Sequence, residues 1–243
     1  MTKGLDPGKG EYSIVVSGDS ISRGVIYDEE RAMYSLLKDC YVELLRGALN
    51  GAVHNIASFG STLTKGAARL TRELAERKPD IVLLEFGGND CDFNWPEVAL
   101  NPGGEHKPRT DFALFQSLMT ETLAGLKARG IVPVLMTLPP LDAEKYLKWV
   151  GRGGEEARAN ILKWLGSVSK LYWWQERYNA AILKIAEETE TKFIDIRGEF
   201  LLRADFQDLL CADGIHPNAA GHLVIAGGIL DYIRPHAPFL LKA

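Results

Sequence analysis

Four short motifs carry residue types suited to acyl transfer, and three of them directly follow apolar runs. Ser17-Gly18-Asp19-Ser20 follows the first run, Asn55-Ile56-Ala57-Ser58-Phe59-Gly60 the second and Gly87-Gly88-Asn89-Asp90 the third. Asp213-Gly214-Ile215-His216-Pro217 stands just ahead of the last helical pattern. A serine hydroxyl is a weak nucleophile until a neighbouring base takes its proton. His216 fits that task, because an unperturbed imidazole titrates near ~6.5 and can accept and return a proton. Asp213, three residues upstream, is spaced to accept from the other ring nitrogen and fix the tautomer. A tetrahedral oxyanion needs donors already in place. The Ser20 N–H at a helix N-terminus and the Asn89 side-chain amide supply that chemistry.

Each motif is weak by itself. Alone, Ser20 would read as a helix cap, Gly60 as a turn glycine and Asn89 as an Asx turn. Asp19 reads as a brace of its turn, since a carboxylate beside a developing anion opposes it. The set and its order are more specific. A GDS near the N-terminus, a glycine after the second strand, GGND after the third and DGIHP near the C-terminus resemble the four blocks of the GDSL/SGNH hydrolase family over residues 13–222. The residues that would give that name are Ser20, Gly60, Asn89 and His216. The first block reads GDSIS, with Ile21 in place of leucine, an apolar-for-apolar exchange. The resemblance implies a flavodoxin-like three-layer α/β/α sandwich with a five-stranded parallel sheet, the SGNH hydrolase fold. It also implies ester hydrolysis through an acyl-serine, with no metal and no organic cofactor. The role of the Gly60 N–H as third oxyanion donor rests mainly on it. Family substrates range over acetylated sugars, lysophospholipids, acyl thioesters and simple esters, so the substrate stays open.

Other chemistries fit poorly. Asp19, Asp90 and Asp92 invite a metal reading, but no DxH, GNHD or HExxH run accompanies them. SGDSISRG is neither GxGxxG nor a P-loop, and the GxSxG elbow is absent. Of the other histidines, His54 is expected to pack on a strand and His106 to lie exposed or along a pocket. His222 is expected to bury against the sheet and His236 to lie on the surface. Trp95 and Trp149 are candidate substrate-binding walls, able to stack on a sugar ring or hold an acyl chain. Trp174 reads as core, and Cys40, Cys91 and Cys211 as inert reduced thiols.

Five strand-like runs must position these groups: 12–17, 52–57, 80–86, 131–138 and 192–196. They are continuous apolar runs rather than alternations, and helical patterns separate them, as in a parallel sheet covered on both faces. Met33, Leu36, Leu37, Cys40, Tyr41, Leu44, Leu45 and Ala48 recur at three and four and predict one helix. Further helices are expected over about 112–126, over 171–186 and from Asn218 to Ile233. The last should turn Leu223, Ala226, Ile229, Leu230 and Ile233 inward, with Pro235 beyond its end. Two long segments, 91–110 and 140–169, follow strands and so belong at the carboxyl edge of the sheet, where ligands bind. No repeat or linker divides the chain, which predicts one domain over 1–243.

The net charge of −4, with no Lys/Arg block, argues against a nucleic-acid partner. No apolar run is long enough for an integral membrane segment, no signal peptide is evident, and three unpaired cysteines favour a cytoplasmic location. The expected activity is a serine esterase acting on a small-molecule or carbohydrate ester, with acetyl or short acyl groups preferred. A lysophospholipase or thioesterase is the alternative, and a non-catalytic carbohydrate binder on the same fold is the rival of another class. The Trp-rich segment could equally line a pocket or anchor a homo-oligomer.

Overall fold

The computed structural model describes residues 5–242. Strand β1 (Tyr12–Gly18) is followed by a one-turn helix α1 (Ser20–Arg23), an antiparallel hairpin β2 (Val25–Asp28) and β3 (Met33–Leu36), and helix α2 (Tyr41–Ala48). Next come β4 (Gly51–Asn55), α3 (Leu63–Glu76), β5 (Ile81–Glu85), α4 (Trp95–Leu100), α5 (Phe112–Ala128) and β6 (Val132–Met136). The chain continues with α6 (Ala143–Val150), α7 (Glu155–Leu165), α8 (Ser169–Glu188), β7 (Lys192–Ile194), α9 (Ile196–Leu201) and α10 (Ala219–His236).

The five long apolar runs form one parallel sheet in the order β4-β1-β5-β6-β7, the flavodoxin-like arrangement. Side chains leave each strand on alternating faces. Ile14 and Val16 of β1 and Ile81 and Leu83 of β5 pack with α2, α9 and α10 on one side. Val15, Val82 and Leu84 pack with α3, α5 and α8 on the other. Both faces are therefore covered, which explains why these strands read as unbroken apolar runs. A third apolar cluster joins α4, α6, α7 and the start of α8. It rests on the two long segments at the carboxyl edge, and both contain helices.

The single helix expected over 33–48 is a correction. Met33–Leu36 is a strand of the hairpin, and only Tyr41–Ala48 is helical. Met33 and Leu36 are more than half exposed, so their spacing from the helix face is coincidental. A Tyr27–Tyr34 pair, with ring centroids 5.4 Å apart, holds the hairpin instead. In α10 the inward face is His222, Ile225, Ala226, Ile229 and Ile233. Leu223 is exposed, and Pro235 lies within the last turn rather than beyond it. His222 is buried, as expected, and stacks on the Tyr41 ring of α2.

Candidate active site

The connection that leaves β1 runs to β4 on one side and the one that leaves β5 runs to β6 on the other, so a crevice opens between the carboxyl ends of β1 and β5. Ser20 opens α1 in that crevice. Asp19 caps the turn, its Oδ1 accepting the Ile21 N–H at 2.9 Å, which is the bracing role expected of it. The hydroxyl of Ser20 meets His216 Nε2 at 2.9 Å. His216 Nδ1 meets Asp213 Oδ2 at 2.5 Å. Asp213 Oδ1 takes the backbone N–H groups of Ile215 and His216, each at 3.1 Å, so a tight Asx turn presets the acid–imidazole pair. Gly214 makes this turn feasible. Its φ is +74°, and a Cβ there would lie 2.7 Å from the Asp142 carbonyl oxygen.

Electrostatics favour the same arrangement. Burial alone would raise the Asp213 carboxyl, but hydrogen bonds and charge interaction with His216 outweigh it and the net shift is downward. Asp213 is thus held as the anion that orients an imidazole. Ser20, Asp213 and His216 are each at least 94% buried, so water competes little for these bonds.

The expected oxyanion donors converge as well. Ser20, Gly60 and Asn89 line one cavity of about 550 Å³, together with His216. Gly60 has a φ of +64°, a left-handed turn that a glycine adopts without strain. Asn89 Nδ2 donates to Asp19 Oδ2 at 2.9 Å, which leaves its second N–H available. The neighbouring Asp90 is structural. Its oxygens accept the Leu63 N–H and the Thr110 hydroxyl, and burial pushes its carboxyl up to about 6. No cluster of three or more His, Cys, Asp or Glu suited to a metal occurs among the described residues.

Trp95 and Trp149 both line the cavity. Trp95 is the more fixed, its Nε1 donating to Asp92 at 2.7 Å. Asp92 also accepts from Tyr146 at 2.6 Å and pairs with Arg109 at 3.0 Å, tying α4 to α6. Trp149 packs edge-on against Tyr27 and Tyr34, with Arg152 over its face at 4.3 Å. Trp174 touches both the cavity and the core. The remaining histidines stand apart. His106 packs on Trp164, His54 lies beside Arg77, and His236 is exposed. Cys91 lines the cavity, but burial pushes its thiol well above the usual range and leaves it unactivated.

Three participants escape sequence reasoning. Tyr34 packs edge-on to the His216 ring at 5.2 Å, and Phe59 lies parallel to it at 6.3 Å. Phe59 stands next to Gly60 in the second motif, so its place could have been inferred. Tyr34 could not, because its segment carries a helical spacing. Glu85, buried against Asp19 and Ser22 on either side of Ser20 in sequence, ends an apolar strand and has no spacing signature.

The GDSL-like Lipase/Acylhydrolase family model matches residues 16–224. An acetylxylan esterase of Geobacillus stearothermophilus is 28% identical over 238 residues, 93% of this chain and 95% of that one. An arylesterase of Vibrio mimicus is 39% identical over 135 residues, 55% of this chain and 58% of its own. Among solved structures, a lipase/acylhydrolase from Enterococcus faecalis superposes with a TM-score of 0.64 at 22% identity, over 94% of this chain and 96% of that one. At that identity the superposition shows the shared fold, while the family match extends through all four motifs. The chain therefore belongs to the GDSL-like lipase/acylhydrolase family of carboxylic ester hydrolases.

Proposed function

We propose that Ser20, His216 and Asp213 carry the esterase reaction of this chain. The Ser20–His216–Asp213 hydrogen-bond chain, at 2.9 and 2.5 Å, is the observation that supports it most directly. Ser20 Oγ attacks the ester carbonyl while His216 Nε2 takes the hydroxyl proton. Asp213 holds the imidazolium that results. The oxyanion is received by the N–H groups of Ser20 and Gly60 and by the free N–H of Asn89. The C–O bond to the leaving alcohol then breaks as His216 returns its proton to that oxygen, leaving an acyl-Ser20. Water, deprotonated by His216, attacks the acyl carbon, and collapse releases the acid and restores the serine.

We read the substrate as an acetyl or short-chain ester, on a carbohydrate that the cavity-lining Trp149 and Trp95 would flank as aromatic walls. The acetylxylan esterase relative, aligned over nearly the whole of both chains, supports this reading. The apolar side of the cavity, with Phe93, Leu141, Leu171 and Trp174, favours an acyl chain as the second reading. A thioesterase/lysophospholipase of Escherichia coli is 25% identical over 92% of this chain and 84% of its own. We further read residues 1–243 as one domain. Three free, buried cysteines suit a reducing, cytoplasmic compartment, and no helix of the described residues is long and apolar enough to cross a membrane.

The test is hydrolysis of p-nitrophenyl esters of increasing acyl length by the wild type and Ser20→Ala. The wild type should turn over acetate with the highest kcat/KM, and a fluorophosphonate should label Ser20. Ser20→Ala should lose roughly 10³-fold or more in kcat. A kcat/KM that climbs with chain length would replace the carbohydrate-ester reading by the acyl-chain one. Equal rates in the two proteins, with no label on Ser20, would point to a binding protein.

A further inference from the structure

Behind the nucleophile lie two carboxyl groups that the acyl-transfer steps do not use. Glu85, the last residue of β5, is fully buried, and Asp19 is nearly so. Gly18, opposite Glu85 in the β1–β5 register, makes the room for this pair. A Cβ on Gly18 would lie 2.3 Å from Ser22 Oγ and 2.9 Å from Glu85 Oε2. Among the described residues, neither carboxyl forms an ion pair.

Hydrogen-bond donors are divided unequally between the two. Asp19 receives the Ile21 N–H on one oxygen and the Asn89 amide on the other, both at 2.9 Å. Glu85 Oε2 accepts the Ser22 hydroxyl at 2.8 Å and the Asp19 N–H only at 3.4 Å. Glu85 Oε1 has no donor at all. Ser22, having donated to Glu85, accepts from Tyr41 at 2.6 Å. Two buried carboxyl groups in contact do not both ionise without a cation, and the charge settles where the donors are. Asp19 is that site. Burial and then the charge of Asp19 push Glu85 well above the usual carboxylate range. Burial raises Asp19 too, but its bonds to Ile21, Glu85 and Asn89 work against the rise.

We propose that Glu85 is a positioning residue: as a neutral carboxylic acid it donates a hydrogen bond to the Asp19 carboxylate, which in turn aims the Asn89 amide at the oxyanion. The proposal rests on the esterase reading given above. It also explains the orphaned Oε1, which needs no donor if it carries the proton. The groups that face the pair are Ser22 and Tyr41, with Asp90, Cys91 and His216 beyond them. When Glu85 ionises at alkaline pH its charge opposes that of Asp19, and the anchor of Asn89 is disturbed. The expected sign is a fall in kcat with rising pH while KM holds.

The experiment compares wild type, Glu85→Gln, Glu85→Leu and Ser20→Ala on p-nitrophenyl acetate from about pH 6 to 10, with Tm recorded for each. Leucine fills the space without donor or acceptor and should lower kcat roughly tenfold or more, part of the roughly 10²–10³-fold that full loss of one oxyanion donor costs. Its KM should stay within about twofold. Glutamine, a neutral donor of the same length, should recover most of kcat and lack the alkaline fall of the wild type. Equal losses in Gln and Leu, full kcat in Leu, or the same alkaline limb in Gln and wild type would overturn the proposal. Should Leu not fold, the comparison of Gln with wild type decides by itself. Activity that survives in Ser20→Ala overturns the esterase reading beneath it, an outcome separate from all of these.

Discussion

At His216 each ring nitrogen serves a different partner, so the tautomer decides whether it can act as a base. Asp213 Oδ2 faces Nδ1, and Oδ1 is committed to the two backbone N–H groups of the turn. In Asp213→Asn the amide oxygen must take the place of Oδ1, because only an acceptor satisfies those N–H groups. Its NH2 then faces Nδ1, which becomes the acceptor, and the ring proton moves to Nε2. Nε2 now points a hydrogen at Ser20 instead of a lone pair. The expected loss in kcat is on the order of 10⁴-fold, with little change in KM, the size of the same exchange in a serine-protease triad. Steady-state kinetics on p-nitrophenyl acetate, with Tm as the folding control, measure it. A loss under about tenfold in a folded variant would show that His216 does not depend on Asp213 for its tautomer.

At the scale of elements, the site depends on how closely α3 approaches the end of β5. Gly66 of α3 lies against Phe86, and a Cβ at Gly66 would stand 2.1 Å from Phe86 Cζ. Gly66→Ala should gain about 1 kcal/mol in helix propensity. Against that stands overpacking of a fully buried ring, about 1–3 kcal/mol. The second effect wins, so a net loss of up to about 2 kcal/mol in urea unfolding is expected, and a more stable variant would refute this account of the contact. Phe86 leads directly into Gly87-Gly88-Asn89, so kcat should fall as well. That closeness also explains what the sequence makes legible. The inner strands β1, β5 and β6 are buried along most of their length and read as apolar runs, and the four motifs sit at turns where residue type is dictated by backbone and chemistry together. Tyr34 is hidden because Met33 and Leu36 fall by chance on a helical spacing with the true helix α2. Glu85 is hidden because a buried acid is recognisable only from its neighbours Asp19 and Ser22, which are distant in sequence.

Over the whole molecule, buried titratable groups of opposite kinds set how stability responds to acid. His222 stacks on Tyr41, accepts its backbone N–H through Nδ1, and is lowered by burial from 6.5 to about 4. As pH falls from 6.5 to 4, the unfolded chain protonates this histidine and the folded chain does not, which costs about 3 kcal/mol of stability. Asp90 acts in the opposite sense. Raised from 3.8 to about 6, it binds a proton in the folded chain before the unfolded chain does, and contributes about 3 kcal/mol as pH falls over nearly the same range. The two slopes offset, and the wild type should change little in Tm from this pair. Replacing His222 by Phe keeps an aromatic ring on Tyr41 and removes only the histidine slope. At pH 7 the variant should be less stable by about 1 kcal/mol, because the Tyr41 N–H loses its acceptor. Near pH 4.5 it should be the more stable protein, by roughly 1–2 kcal/mol, with the crossing between about pH 5 and 6. Urea unfolding of both proteins at the two pH values measures this. A difference that does not change with pH would mean that His222 protonates in the folded state as readily as in the unfolded one, and that its burial against α2 is not what holds it neutral.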